Sequence, residues 1–145
     1  MLARIHAAPN TADLAAALQV VADALYSINL AWLRRIVARG LEPPAQLLRC
    51  APPWCSRPIV YVTHRGLPLD TTRDYYDGPT AMHRGSGTCI EIASYDAAAS
   101  TVLLQKPARP LVVGQLPGMH CVVRYDDGAL YDPTSEATPW RSHPY

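Results

Sequence analysis

The sequence lacks the features that define several common classes of protein. Its 145 residues carry a formal net charge of +1 with 17% charged residues, so neither a broad nucleic-acid footprint nor an acidic tail is expected. There is no phenylalanine, and Lys106 is the only lysine. No uninterrupted apolar run reaches the length of a membrane span, and the opening MLARIHAAPN lacks the apolar core of a secretory signal. We therefore expect a soluble, cytoplasmic protein with no membrane and no nucleic-acid partner.

Cysteine is sparse as well. A domain of this length can bury a core without disulfide or metal staples, and in the absence of a secretory signal we expect Cys50, Cys55, Cys89 and Cys121 to be free thiols. Cys50, Cys55 and His64 suggest zinc ligands, but this set supplies only three groups and lacks a second close pair. The sequence therefore predicts no metal and no cofactor.

The spacing of apolar residues predicts helices followed by an antiparallel sheet. Helical spacing runs over 11–39, with a break near Ser27 left open, and over 88–105, where the apolar residues fit one helix face. The segment 66–87 is predicted to be loop with one helical turn at 79–83. The predicted strands cover 59–63, 109–115, 120–125 and 129–132. This order predicts the α+β fold class, with a central helix packed on the sheet.

A run of small residues precedes Cys89 at the start of the second helix. Residues 85–87, Gly-Ser-Gly, can bring backbone close to a substrate, and Thr88 is a suitable N-cap. The positive end of the helix dipole there favours the thiolate of Cys89. Cys89 is therefore a candidate nucleophile, although a free cysteine is more often a buried core residue.

A nucleophilic thiol needs a proton acceptor and a group that orients the acceptor, and His120 and Asp132 lie on neighbouring predicted strands. If residues 126–128 form a three-residue turn with Gly128 in the left-handed conformation, Asp132 pairs with Val122 and becomes a diagonal neighbour of His120 on the same face. A two-residue turn would put the two side chains on opposite faces. The longer turn therefore predicts a Cys-His-Asp triad.

Two stretches, RGSGTC at the helix start and MHCVVRYDDGALYDPT after it, resemble the transglutaminase-like cysteine peptidase superfamily, more narrowly its small phage-associated or prophage-associated members. The resemblance spans about residues 54–134 and implies a papain-like core. It implies that Cys89 is the nucleophile, His120 the general base and acid, and Asp132 the orienting carboxylate.

The resemblance also sets the expected domain organisation. We expect one domain over 1–145, with a helical N-terminal part at 1–45 and the catalytic core at 54–134. The substrate it implies is a protein or peptide, cleaved by a cysteine peptidase or amidase. Attack by a lysine amine in place of water would make the chain a transglutaminase.

The chain departs from this family beside the nucleophile. The small phage-type relatives usually place an acidic residue directly before and directly after the cysteine, where this chain has Thr88 and Ile90. The departure favours an alternative, a non-catalytic phage or virion assembly protein that keeps the fold. Arylamine acetyltransferases are similar around R-G-x-x-C-x-E, but this chain is too short for their added domains.

The oxyanion donors are predicted with less support from the sequence. The backbone N–H of Cys89 is the natural first donor. The second is expected to be Tyr75, because similar superfamily members often place an aromatic donor ahead of the nucleophile, with Tyr76, His83 and Trp54 as alternatives.

Two further residues near the predicted triad are given supporting roles. Glu91 lies about 200° around the helix from Cys89, so we expect it to be solvated or to support the site indirectly. Cys121 has the opposite strand parity to His120, so we expect it to face the core.

Overall fold

A computed structural model describes residues 2–5, 11–50, 53–54, 59–62, 73–114 and 119–136. Its elements in chain order are β1 (Leu2–Ile5), α1 (Thr11–Ala38), β2 (Val60–Tyr61), β3 (Arg73–Tyr76), α2 (Gly78–Arg84), β4 (Ser86–Gly87), α3 (Cys89–Val102), β5 (Ala108–Val113), β6 (His120–Tyr125) and β7 (Leu130–Tyr131). Short 3₁₀ helices cover Leu47–Arg49 and Pro133–Glu136. This mixture of helices and small sheets is an α+β fold, as expected.

Helix α3 forms the centre of the molecule. Every residue from 90 to 100 is buried, so the expectation of a single apolar face is wrong. The helix is enclosed because α1 packs on it from one side and the β5–β6 strands from another. Its polar residues find partners inside: Ser94 Oγ donates to the Ala22 carbonyl at 3.2 Å, and Asp96 Oδ1 accepts from the Leu47 N–H at 2.9 Å.

Helix α1 is continuous through Ser27, whose hydroxyl donates to the Asp23 carbonyl one turn earlier at 3.0 Å. Ala22, Leu25 and Leu33 of this helix are fully buried. By length and composition alone α1 could cross a membrane, a test that the core helix of a soluble protein also passes. In the structure α1 packs against α3 and β5.

The outer edge of β5 is covered by a side chain of α1. The Gln19 amide nitrogen donates to the Pro110 carbonyl at 3.1 Å, and its oxygen accepts from the Val112 N–H at 2.9 Å. A carboxamide thus takes the place of a neighbouring strand, which fixes α1 against the sheet.

Strands β5, β6 and β7 form an antiparallel sheet in that order. Between β6 and β7, Val123 lies opposite Tyr131 and Arg124 opposite Leu130. The Tyr125 N–H donates to the Ala129 carbonyl at 2.9 Å, and Gly128 closes the turn with φ +88°. The predicted three-residue turn and its register are therefore confirmed.

Two smaller strand pairs are absent from the sequence prediction. Strand β1 pairs antiparallel with β3, and β2 pairs parallel with β4, which directly precedes α3. The predicted loop 66–87 thus holds β3, α2 and β4 in its described part. Of the predicted strand 59–63, only Val60–Tyr61 is strand, and Thr63 lies outside the described residues.

Candidate active site

Cys89 is the first residue of α3, and it is partly exposed. Thr88 precedes it as the N-cap, in an extended conformation with φ −88° and ψ 171°. The carboxylate of Glu91 reaches back and accepts the Thr88 N–H at 2.6 Å. This contact fixes the first turn of the helix and therefore the position of Cys89.

The segment before Cys89, residues 85–88, contains β4 and is named here the nucleophile loop after the predicted role of Cys89. Gly85 ends α2 in the left-handed conformation, with φ +74°. A side chain at Gly87 would be tightly packed, because a Cβ there would lie 3.2 Å from Cγ1 of Ile92 and 3.6 Å from Cγ2 of Ile59. The structure therefore explains both glycines: Gly85 by its backbone conformation and Gly87 by its close packing.

Glu91 is fully buried, so of the two roles expected for it, solvated or supporting the site indirectly, the first is wrong and the second agrees with its contacts. Besides the Thr88 N–H, its carboxylate accepts the Tyr76 N–H at 2.8 Å and Arg84 Nη1 at 3.3 Å. Burial raises the pKa of Glu91, although the donors from Thr88, Tyr76 and Arg84 act in the opposite direction. Glu91 thus ties the nucleophile loop to β3 and to the end of α2.

His120 begins β6, and Asp132 directly follows β7. The confirmed register makes them diagonal neighbours, and His120 Nε2 lies 2.9 Å from Asp132 Oδ2. The other carboxylate oxygen, Oδ1, accepts from Thr134 twice, at 3.0 Å from the backbone nitrogen and 2.7 Å from the hydroxyl. The carboxylate is therefore held from both sides.

The imidazole of His120 is also influenced by Cys89. Burial by itself would lower the pKa of His120, but the hydrogen bond with Asp132 and the nearby Cys89 side chain outweigh it and raise the pKa to about 9. Burial would raise the pKa of Asp132, but hydrogen bonds from His120 and Thr134 hold it below the ordinary value of 3.8. The three side chains predicted to act together are thus neighbours in the fold.

The predicted second oxyanion donor, Tyr75, is 2% exposed and belongs to the hydrophobic core. Among its alternatives, Trp54 donates its indole N–H to the Glu42 carbonyl at 2.7 Å, and His83 is exposed on α2. The guanidinium carbon of Arg84 lies over the Tyr76 ring, 4.2 Å from the ring centroid. Tyr75 stays a prediction for this role.

The cysteines divide into two groups. Cys89 and Cys121 are free, and Cys121 is fully buried, as expected. Cys50 is disulfide-bonded, so the expectation of a free thiol is wrong there, and its sulfur is not a thiolate that could bind zinc. Cys55 and His64 lie outside the described residues. Since disulfides are typical of oxidising compartments, the cytoplasmic location stays a prediction.

Sequence reasoning missed Thr134. The signal was present in Asp132-Pro133-Thr134, because an aspartate often accepts hydrogen bonds from the residue two positions later when a turn begins. Only the structure shows that this local motif adjoins the imidazole of His120, at 3.2 Å from the hydroxyl to Nε2.

Comparisons of the chain with protein-family models, with curated proteins and with solved structures give no match. The geometry of Cys89, His120 and Asp132 is therefore the basis on which the function is inferred.

Proposed function

We propose that this chain is a thiol-dependent acyl-transfer enzyme, a cysteine peptidase or amidase with a transglutaminase-like, papain-like core. One observation carries the proposal: His120 Nε2 lies 2.9 Å from Asp132 Oδ2, and Cys89, partly exposed at a helix start, is near enough to His120 to raise its pKa. A nucleophile, a base and a group that orients the base are the parts that covalent acyl transfer needs.

The charge of His120 is central to the proposed enzyme. With a pKa of about 9, His120 is mostly protonated at neutral pH. An imidazolium beside the sulfur supplies a positive charge and a transferable proton next to the reacting atom. Asp132 holds the ring in place and balances its charge.

In the proposed reaction the Cys89 thiolate attacks the carbonyl carbon of an amide. The negative charge passes to the carbonyl oxygen, where the Cys89 N–H donates to it. His120 gives its proton to the amide nitrogen, the carbon–nitrogen bond breaks, and the amine leaves a thioester on Cys89. His120 then takes a proton from water, whose oxygen attacks the thioester, releases the acid and regenerates the thiolate.

We propose hydrolysis as the outcome, with transamidation as the alternative. The two reactions share every step up to the thioester, so they differ only in the group that attacks it. A small activated ester such as p-nitrophenyl acetate tests this step without knowledge of the substrate. Release of acetate alone supports hydrolysis, and formation of an amide when a primary amine is added supports transamidation.

The first test of the proposal is the rate at which iodoacetamide alkylates Cys89 near neutral pH, followed by mass spectrometry. The fully buried Cys121 serves as a control thiol within the same molecule. We expect rapid labelling of Cys89 that slows on the order of 100-fold in His120→Ala, as for loss of a general base. His83→Ala, which removes an exposed histidine, should label at the rate of the unmodified protein.

Slow labelling of Cys89, or a rate indifferent to His120→Ala, would contradict the proposal. That result would favour the alternative of a non-catalytic phage or virion assembly protein.

A further inference from the structure

Thr134 touches both partners of the histidine–carboxylate pair. It lies in the 3₁₀ helix Pro133–Glu136, its side chain is 2% exposed, and its hydroxyl oxygen is 2.7 Å from Asp132 Oδ1 and 3.2 Å from His120 Nε2. Its backbone N–H donates to the same carboxylate oxygen at 3.0 Å.

The direction of these hydrogen bonds follows from the chemistry of the groups. An ionised carboxylate only accepts, so the Thr134 hydroxyl proton points to Asp132 Oδ1. The hydroxyl then has only lone pairs left for His120 Nε2, so this nitrogen must carry the proton between them. The Nε2–H therefore has two acceptors, Asp132 Oδ2 at 2.9 Å and the Thr134 hydroxyl.

We propose that Thr134 is a positioning residue, which locks the Asp132 carboxylate and accepts from His120 so that Nε2 keeps its proton and Nδ1 serves Cys89. The inference rests on the proposed function, because it assigns Thr134 a part in the same proton exchange. Thr134 touches neither Cys89 nor a reacting atom in this account, so it acts through Asp132 and His120.

Two substitutions separate the hydroxyl from the rest of the side chain. Thr134→Val keeps the shape and removes the hydroxyl, and Thr134→Ser keeps the hydroxyl and removes the buried methyl group. If the hydroxyl positions the pair, Thr134→Val lowers the pKa of His120 by about one unit, the effect of one hydrogen bond to a charged group. Because His120 stays mostly protonated at neutral pH after such a shift, the alkylation rate of Cys89 there should change by less than about twofold, and the pKa itself is the readout.

A purely structural role predicts the opposite order. Deleting a buried methyl group costs packing, so Thr134→Ser would then be the more damaged variant. Under the proposal Thr134→Ser has the lower melting temperature, but His120 titrates and Cys89 reacts as in the unmodified protein.

The experiment is a pH titration of the His120 ring by NMR in the unmodified protein and both variants, alongside the alkylation rates. A lowered pKa in Thr134→Val with an unchanged pKa in Thr134→Ser supports the proposal. An unchanged pKa in Thr134→Val, or an equal drop in both variants, overturns it. If Thr134→Val does not fold, the unmodified protein still provides a test. A slowly exchanging Thr134 hydroxyl proton with a nuclear Overhauser effect to the His120 ring supports the proposal, and fast exchange overturns it.

The two proposals can fail separately. The NMR titration reads the contact between Thr134 and His120 whether or not Cys89 is reactive. Rapid labelling of Cys89 that depends on His120, combined with a His120 titration unaffected by Thr134→Val, would leave the enzyme proposal standing and remove only the role of Thr134.

Discussion

The candidate site is assembled from two regions that are held in place in different ways. The hairpin of β6, the turn 126–128 and β7 carries His120 and precedes Asp132, and its geometry depends on residues within a dozen positions of one another. The nucleophile loop, residues 85–88, delivers Cys89, and its geometry depends on β2, β3 and the interior of α3. Local turn chemistry positions His120, whereas tertiary packing positions Cys89.

The two regions should also differ in how strongly a substitution destabilises the fold. The hairpin is held by a strand ladder and a turn at the surface, where exposed Gly128 has open space around it. The nucleophile loop depends on Glu91, a buried carboxylate with donors from three residues. Unpaired polar groups in the interior are destabilising. Substitutions that disrupt the nucleophile loop should therefore lower the free energy of unfolding more than substitutions in the turn.

The largest effect is expected from Glu91→Ala. The substitution removes the acceptor of the Thr88 and Tyr76 N–H groups and leaves a cavity in the interior. We expect the free energy of unfolding to fall by about 3 kcal/mol, measured by urea denaturation. Alkylation of Cys89 should slow as well, because the start of α3 loses its fixed position.

Two controls accompany Glu91→Ala. Glu91→Gln keeps the volume but turns an amide N–H₂ toward a backbone donor, so it should also be destabilising. Glu42→Gln, at an exposed position, should change the free energy of unfolding by less than about 0.5 kcal/mol. Equal stability of Glu91→Ala and Glu42→Gln would show that the loop does not depend on the buried carboxylate.

The second largest effect is expected from Gly87→Ala. The added Cβ would lie 3.2 Å from Cγ1 of Ile92, so the Ile92 side chain must move by a few tenths of an ångström. Overpacking of this kind costs about 2 kcal/mol, which thermal unfolding should register. Because Gly87 is two residues from Cys89, the labelling rate of Cys89 should change as well. A melting temperature and a rate equal to those of the unmodified protein would show that the loop is not tightly packed.

A third prediction concerns pH and the hairpin pair. His120 has a folded-state pKa of about 9, above its ordinary value of 6.5. Its charge therefore stabilises the fold fully below pH 6.5, and this stabilisation is lost as pH rises through about 9. The pKa of Asp132 is lowered, so its contribution is present above 3.8 and is lost as pH falls through its folded-state pKa.

The variant His120→Gln tests this pH dependence, because glutamine can still donate to Asp132 but cannot become charged. Its deficit in free energy of unfolding should be about 1 to 2 kcal/mol between pH 5 and 6 and should vanish above about pH 9. The measurement is urea denaturation of both proteins across this range. A deficit that stays constant with pH would mean that His120 is not charged in the folded protein.

The same contrast explains what could be predicted from sequence. The turn at Asp126-Asp127-Gly128 depends on three adjacent residues. The register between β6 and β7, and with it the approach of Asp132 to His120, could therefore be predicted from them. The position of Glu91 on α3 was also predictable, but the elements that cover that side of the helix were not. Strand β3 and the end of α2 lie there, and neither contact has a local signal near Glu91.

The burial of helix α3 was missed for the same reason. Its apolar residues fit one face, and the prediction went no further, because sequence periodicity describes one helix and not its neighbours. Enclosure by α1, the sheet and the segment containing Leu47 is a property of the whole fold. The disulfide at Cys50 was missed for a different reason, since free thiols were expected from the lack of a secretory signal.

The smallest effect is expected from Gly128→Ala. It makes the same glycine-to-alanine change as Gly87→Ala, but in the turn of the hairpin. Gly128 has φ +88° and nothing within 4 Å of an added Cβ, so the cost is backbone strain alone, about 1 kcal/mol. Gly128→Asn should recover part of this loss, because asparagine tolerates the left-handed region. The labelling rate of Cys89 should stay that of the unmodified protein, since the folded register between β6 and β7 is unchanged. If Gly128→Ala instead slowed labelling as much as Gly87→Ala, the turn would also determine the position of His120 in the folded state, and the hairpin would be as dependent on its surroundings as the nucleophile loop.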